Sequence, residues 1–301
     1  MFKLWVRILR APFFTATVAP VFLGTAIAWR DGYFHLGYFL LTFIGALCAH
    51  AATNTANDYF DHLSGNDELN LNPTPFSGGS RVIQEKIVPP WQMITLAGAF
   101  YIITAAIGIY LAWMRGWDLL YIGLAGMLAS LLYNPWLAYV GHGFGEISVG
   151  LGFGPIMLAG AYFVQAQKIT PAALWASLPL AFLIALVLYV NEFPDYEADK
   201  AARKKTTIVV VGRKRAVPGY IAILAAAYLS TLAGVLARLL PYTSLLVLLT
   251  LPLAWRAAQG VLRFYDQTPA LLPSNALTIQ IHLLIGLLLT LAYMLDKIFL
   301  A

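Results

Sequence analysis

Residues 172–192 read AALWASLPLAFLIALVLYVNE, a run that carries no charge before Glu192. A helix crossing the hydrocarbon core of a bilayer needs about 20 predominantly apolar residues, so this stretch has the length and composition of a membrane span. Outward from it, further stretches of the same kind lie at 11–29, 36–56, 91–113, 117–135, 146–165, 218–238, 242–260 and 276–299. The fold they predict is all-α: nine transmembrane helices around a central cavity, in a single polytopic membrane domain over 1–301. Composition agrees. Of 301 residues, 60% are hydrophobic and 11% charged, whereas a soluble domain carries about 25% charged residues, which excludes a water-soluble fold. The lone Cys48 excludes an intrachain disulfide and a cysteine metal site. A net charge of +5 does not point to nucleic acid, because Lys and Arg sit between apolar runs and not along one face. The expected partner of this surface is the lipid bilayer.

If the N-terminus is cytoplasmic, fourteen of the nineteen Lys and Arg residues fall inside, the sense of the positive-inside bias. The expected location is the cell membrane, multi-pass, with the N-terminus cytoplasmic and the C-terminus outside. The run after Arg10 is too long for a signal peptide and lacks a small-residue cleavage site, so it reads as the first helix. Two segments between spans are long and polar, 57–90 and 193–217, and both are expected as cytoplasmic caps over the cavity. Nine of the fourteen acids lie in or beside them.

These acids repeat a pattern. Asn57-Asp58-Tyr59-Phe60-Asp61 closes the second span and Asn191-Glu192-Phe193-Pro194-Asp195 closes the sixth, each reading Asn, acid, aromatic, variable, Asp. They lie four helices apart, which predicts two pseudo-repeated four-helix units plus one helix. Residues four apart share a helix face. Asn57 therefore points with Asp61, and Asn191 with Asp195 and Asp199 if the helix persists past Pro194. With Asp58 and Asp67 these form two patches of hard oxygen ligands. Such oxygens suit Mg²⁺, which takes one or two carboxylates and completes its octahedron with water and phosphate oxygens. Two facing patches predict one diphosphate held between metal ions. Carboxylates gathered at a membrane surface are costly unless a cation neutralises them, which argues against solvated helix ends that are merely acidic.

The segments Asn57 to Asp67 and Asn191 to Asp199, followed by Lys204-Lys205-Thr206, resemble the two aspartate-rich signatures of the UbiA superfamily of intramembrane prenyltransferases. Within it, three segments are similar to the MenA-like branch, which prenylates 1,4-dihydroxy-2-naphthoate in menaquinone synthesis. They are Thr74-Pro75-Phe76-Ser77-Gly78-Gly79-Ser80-Arg81, Gly143-x-Gly145-Glu146 through Phe153-Gly154-Pro155, and Arg10-Ala11-Pro12 through Val18-Ala19-Pro20. The resemblance implies a Mg²⁺-dependent enzyme that moves a polyprenyl group from polyprenyl diphosphate to that aromatic acceptor, releasing diphosphate and the acceptor's carboxylate. One departure stands out. Much of the superfamily spaces the acids of its first motif by four, but four after Asp61 stands Gly65, and the next acid is Asp67. Other readings are 4-hydroxybenzoate, homogentisate or geranylgeranylglyceryl phosphate as acceptor, and, in another class, a membrane transporter. A transporter would carry its polar residues in broken helices at mid-depth.

Cations flank the acids. Arg81 and Lys204 are expected to hold the leaving diphosphate, with Lys200 and Arg203 either doing the same or only setting topology. Arg10 enters the membrane at the first helix, where it either touches substrate or snorkels to the interface. Glu146 borders a span and either binds the acceptor or makes a structural hydrogen bond. Tyr59, Tyr133, Trp136 and Tyr139 could shield an allylic cation with their π faces or sit in the interfacial belt; Tyr133 and Tyr139 are the best placed. His50, His62, His142 and His282 show no metal spacing and receive no chemistry.

Overall fold

A computed structural model describes residues 1–71, 73–133 and 143–299. A surface helix, α1 (Phe2–Ile8), and a 3-10 turn (Ala11–Phe14) lead into α2 (Thr15–Arg30). Then come α3 (Leu36–Leu63), the single-turn α4 (Asn66–Leu69), α5 (Pro90–Arg115) and α6 (Leu119–Leu132). α7 covers Phe144–Ala166 and widens to a π turn over Gly152–Ile156, where Pro155 lacks the N–H that an α-helix requires. The chain ends in α8 (Pro171–Ala201), the short α9 (Thr207–Val211), α10 (Arg213–Leu236), α11 (Tyr242–Phe264) and α12 (Thr268–Phe299).

Eight of these helices, α2 counted with its leading turn, are long and apolar enough to cross a membrane. The predicted span 117–135 forms α6, whose 14 residues reach roughly 21 Å at 1.5 Å per residue. Its start, Leu119, packs with Phe163 near the end of α7, and it leads into Tyr133 beside Glu146 and Lys204. Helix starts follow local chemistry. Pro90 and Pro171 occupy first-turn positions where no N–H is needed, and the Thr170 hydroxyl caps α8 by accepting from the Ala173 amide.

Packing is lopsided. The main core lies among α2, α7, α8, α10, α11 and α12. At Gly286 on α12 a Cβ would stand 2.4 Å from the Ala19 Cβ, so the glycine lets the last helix lie directly on the first span, the close approach that small residues give in membranes. On the other side α3 and α5 pack mainly on each other. Between the two halves is a cavity of about 750 Å³.

The start of the first span and the end of α12 sit at opposite ends of the helix bundle. Arg10, at the start of the first span, hydrogen-bonds Asn57 near the end of α3. At the far end of α2, Arg30 pairs with Asp296 near the end of α12 at 2.6 Å.

Candidate active site

One stripe of α3 faces the cavity: Ala46, Ala49, His50, Thr53, Asn54, Asn57 and Asp61, the three- and four-residue spacing of a helix face. At its end the Asn57 amide donates to Asp61 Oδ2 at 3.0 Å, the contact predicted for residues four apart. On α8, Asn191, Asp195 and Asp199 line the same cavity, so the helix does persist past Pro194. The reason lies on α12. Proline cannot donate to the carbonyl four residues back, and Asn275 supplies the missing donor: its amide donates to Val190 O at 3.0 Å and to Asn191 Oδ1 at 2.8 Å.

The two motifs are held in matching ways. The first acid of each accepts a backbone N–H from the segment that follows its own helix: Asp58 from Ser80 at 3.2 Å, Glu192 from Ile208 at 3.3 Å. The first Asn of each accepts from another helix or its leading turn, Asn57 from Arg10 at 3.0 Å and Asn191 from Asn275. The aspartates are tied across the halves. Lys204, from the second half, lies 3.4 Å from Asp61 Oδ1, while the Asn70 amide, from the first half, donates to Asp195 Oδ1 at 2.9 Å.

Asp67 arrives by a turn, not by helix periodicity. α3 ends at Leu63, Gly65 adopts φ +75°, and α4 folds Asp67 back beside Asp58 and Asp61. Asp67 is 1% exposed and its Oδ2 has no hydrogen-bond partner among the described residues; Asn66 Oδ1 is likewise buried and unpartnered among them. Burial first, then the charges of Asp61 and Asp58, push the Asp67 carboxyl up to about 8, against the opposing pull of Arg10 and Lys204. Gly79 completes the cradle. At φ +70° its backbone lies over the acids, and a Cβ there would meet Asp67 Oδ2 at 2.6 Å and Asp58 Oδ1 at 3.2 Å.

Of the predicted site residues, Arg10, Asn57, Asp61, Asp67, Tyr133, Glu146, Asn191, Asp195, Asp199 and Lys204 all line the cavity. Three others do not. Asp58 sits behind the lining, engaged with the Ser80 backbone and 3.9 Å from Arg10. The Arg81 guanidinium donates to the Asp67 carbonyl and so braces α4. Lys200 is exposed over the Tyr196 ring, because one residue past Asp199 a helix has turned by about 100°. Tyr139 lies outside the described residues. Sequence reasoning missed Asn275, Asn70 and Asn66 as second-rank ligand holders; a lone asparagine in the apolar run of α12 was the available signal.

Among the described residues no three His, Cys, Asp or Glu side chains are grouped so as to hold a metal ion by themselves. The arrangement is instead open: carboxylates on two facing helices, cations beside them, and an apolar chamber below. It can hold an anion with a long apolar tail, its charge met at the mouth and its tail in the chamber.

Residues 17–284 match the model of the UbiA prenyltransferase family. The chain is 27% identical over 295 residues to the 2-carboxy-1,4-naphthoquinone phytyltransferase of Synechocystis sp., covering 97% of this chain and 93% of that one. It is 30% identical over 260 residues to the 1,4-dihydroxy-2-naphthoate octaprenyltransferase of Bacillus subtilis, covering 85% and 81%. In structure it is similar to a UbiA homologue from Archaeoglobus fulgidus bound to DMAPP and Mg²⁺, with a TM-score of 0.63 at 14% identity over 95% of this chain and 98% of that one. With the family model covering most of its length, the chain is a multi-pass membrane protein that belongs to the UbiA prenyltransferase family.

Proposed function

We propose that this chain transfers a polyprenyl group from polyprenyl diphosphate to 1,4-dihydroxy-2-naphthoate, with Mg²⁺ as its cofactor. The observation that carries the reading is the convergence of two equivalently held Asn-acid-aromatic-x-Asp motifs at the mouth of a large apolar cavity. The relatives named for naphthoate prenylation support the choice of acceptor.

The residues present fit Mg²⁺. Asp67 Oδ2 and Asn66 Oδ1 are buried oxygens with no partner among the described residues, an arrangement that costs about 1–3 kcal/mol per group unless something fills it. Their donor set is all oxygen, as a hard cation requires. Asn57, Asp61 and Asp67 would hold one ion and Asn191, Asp195 and Asp199 a second. When bound, the cation neutralises charge that builds on the leaving diphosphate.

The chain's own residues supply the rest. Lys204 stands between the halves, within reach of a diphosphate placed there, and Arg10 offers a second cation to a substrate anion. Gly79 lets its loop close over Asp67 and Asp58 without a side chain in the way. Tyr133 lines the cavity, where its ring would shield the carbon that becomes positive as the allylic bond breaks. The apolar walls keep water from that carbon, and Glu146 takes a hydrogen bond from the acceptor. Orientation belongs to the same proposal: the mouth opens to the cytoplasm with the N-terminus inside, as the distribution of Lys and Arg favours.

The test is to incubate purified protein with geranylgeranyl diphosphate, Mg²⁺ and a panel of acceptors. Prenylated naphthoquinol should form from dihydroxynaphthoate and cease when the metal is chelated. Turnover that persists in excess chelator would reject the metal role, and exclusive use of another acceptor would reject the naphthoate assignment.

A further inference from the structure

The apolar chamber carries a polar band that plays no part in holding the diphosphate. Thr53 on α3, Tyr101 on α5 and Ser130 on α6 all line the cavity. Their hydroxyls form a chain: Ser130 Oγ lies 2.5 Å from Thr53 Oγ1 and 2.7 Å from Tyr101 Oη. The band sits just beneath the motifs. Thr53 stands four residues before Asn57 and Ser130 three before Tyr133, so each is one helical turn, about 4–6 Å, further in. Tyr133 itself feels the charges of Lys204, Glu192, Asp61 and Glu146.

Counting protons gives the chain a direction, since each hydroxyl has one to donate. Thr53 gives its proton to the Ala49 carbonyl at 2.9 Å. Ser130 therefore donates to Thr53, and Tyr101, with the Ser130 proton already committed, donates to Ser130. Among the described residues Tyr101 Oη receives nothing in return. An oxygen left without a donor among apolar walls is costly unless a ligand meets it. The prenyl tail has no donor to offer. The aromatic acceptor has two hydroxyls, para to each other on opposite edges of one ring. When the hydroxyl beside the carboxylate points to Glu146 and the cations at the mouth, the other points inward, toward the band.

We infer that Tyr101 is a specificity-determining residue of this site, its Oη accepting a hydrogen bond from the acceptor hydroxyl that lies across the ring from the one beside the carboxylate. The inference rests on the naphthoate reading and names the contact by which the site tells a dihydroxy ring from a monohydroxy one. Ser130 and Thr53 are positioning residues that act through Tyr101: by taking its proton they keep its oxygen an acceptor and hold the phenol in place. The contact is made before and during prenyl transfer alike, so it serves binding and not the chemical step.

The test pairs a ligand change with a side-chain change. Full-length protein carrying Mg²⁺ and an unreactive prenyl thiodiphosphate is titrated, without oxygen, with 1,4-dihydroxy-2-naphthoate and with 1-hydroxy-2-naphthoate, which lacks the second hydroxyl. Wild type should bind the dihydroxy ligand about tenfold tighter or better, because a site built to pair with a substrate hydroxyl rejects the analogue without it. In Tyr101→Phe, checked for folding by retained thiodiphosphate binding, the preference should fall to about twofold or less while the monohydroxy ligand binds as before. Turnover of that variant should show KM for dihydroxynaphthoate raised about tenfold with kcat within about twofold of wild type, the pattern of a contact made equally in ground and transition states. Ser130→Ala frees the Tyr101 proton and should lose part of the preference. A full preference in Tyr101→Phe, or in Ser130→Ala should the phenylalanine variant not fold, overturns the assignment and leaves the naphthoate reading intact. So does an equal weakening of both ligands, the result of a band that only ties helices together, or equal binding of the two by wild type. If wild type binds neither naphthoate although it binds thiodiphosphate, the acceptor assignment falls and this inference falls with it.

Discussion

Gly65 turns an irregular spacing into a site. Asp61 and Asp67 are six residues apart, a separation that no single helix face accommodates, yet the left-handed turn after α3 brings Asp67 back against Asp58 and Asp61. That placement gives a measurable proton linkage. An unfolded chain ionises Asp67 near pH 4, but the folded, cation-free protein holds the proton up to about 8. Without divalent cation the fold should therefore lose stability as pH rises from about 4 to about 8, because the unfolded state releases a proton that the folded state keeps. Mg²⁺ displaces that proton, so the melting-temperature gain from Mg²⁺ should grow from pH 5.5 to pH 8 and level off above. An equal gain at every pH would contradict the role given to Asp67. At this scale the sequence was readable where a ligand follows helix periodicity, as Asn57 and Asp61 do. Where a turn brings residues together, periodicity could name the acid but not its placement: Asp67 was expected in the patch, while the Gly65 turn and the Gly79 backbone that set it there were not.

α8 is the element on which the second half of the site depends. Its Pro194 should break or kink a helix at a cost of about 3 kcal/mol, and the sequence left open whether the helix continues beyond it. It continues because Asn275 pairs the orphaned Val190 carbonyl, a contact between residues 85 positions apart that no local pattern encodes. Asn275→Leu should therefore leave Val190 O unpaired in an apolar surround and cost about 1–3 kcal/mol, read as lower stability to denaturant in detergent. Prenyl transfer should slow as well, since Asp195 and Asp199 follow the proline. Stability within about 0.5 kcal/mol of wild type, the range of an ordinary surface substitution, would show that the helix needs no such support. Lys204 depends on an element end too. Past Ala201 the chain turns through Arg203 at φ +58°, and that turn carries Lys204 back to Asp61.

The whole molecule is half solid and half hollow, and the reason is functional. A packed core holds α2, α7, α8, α10, α11 and α12 rigid, while α3, α5 and α6 wall a chamber able to take a long apolar chain. Hydropathy made the spans legible, because eight of the helices reach the length a bilayer imposes. It could not reveal the chamber, which depends on how helices meet and not on their composition. Topology follows from parity. The start of the first span and the end of the last lie at opposite ends of the helix bundle, so the proposed topology has an odd number of crossings, the short α6 adding to the eight helices long enough to span. Cysteines introduced at Ser64 and Ala201 should accept an impermeant label from the same side of a sealed membrane, and one at Gly32 from the other. Labelling of Ser64 and Ala201 from opposite sides would refute the arrangement.

The central claim is that the two motifs act as one site on one diphosphate, and a double-mutant cycle on prenyl transfer tests it most directly. Asp61→Ala and Asp195→Ala should each cost about 3 kcal/mol of transition-state stabilisation, roughly a hundredfold in kcat/KM, with the protein still inserted. If both hold the same leaving group, losing either disables the clamp, and the double variant should be little slower than the worse single one. Independent sites would instead give additive losses, a double variant slower by roughly ten-thousandfold. Strict additivity, or near-normal turnover in either single variant at saturating Mg²⁺, would contradict the account.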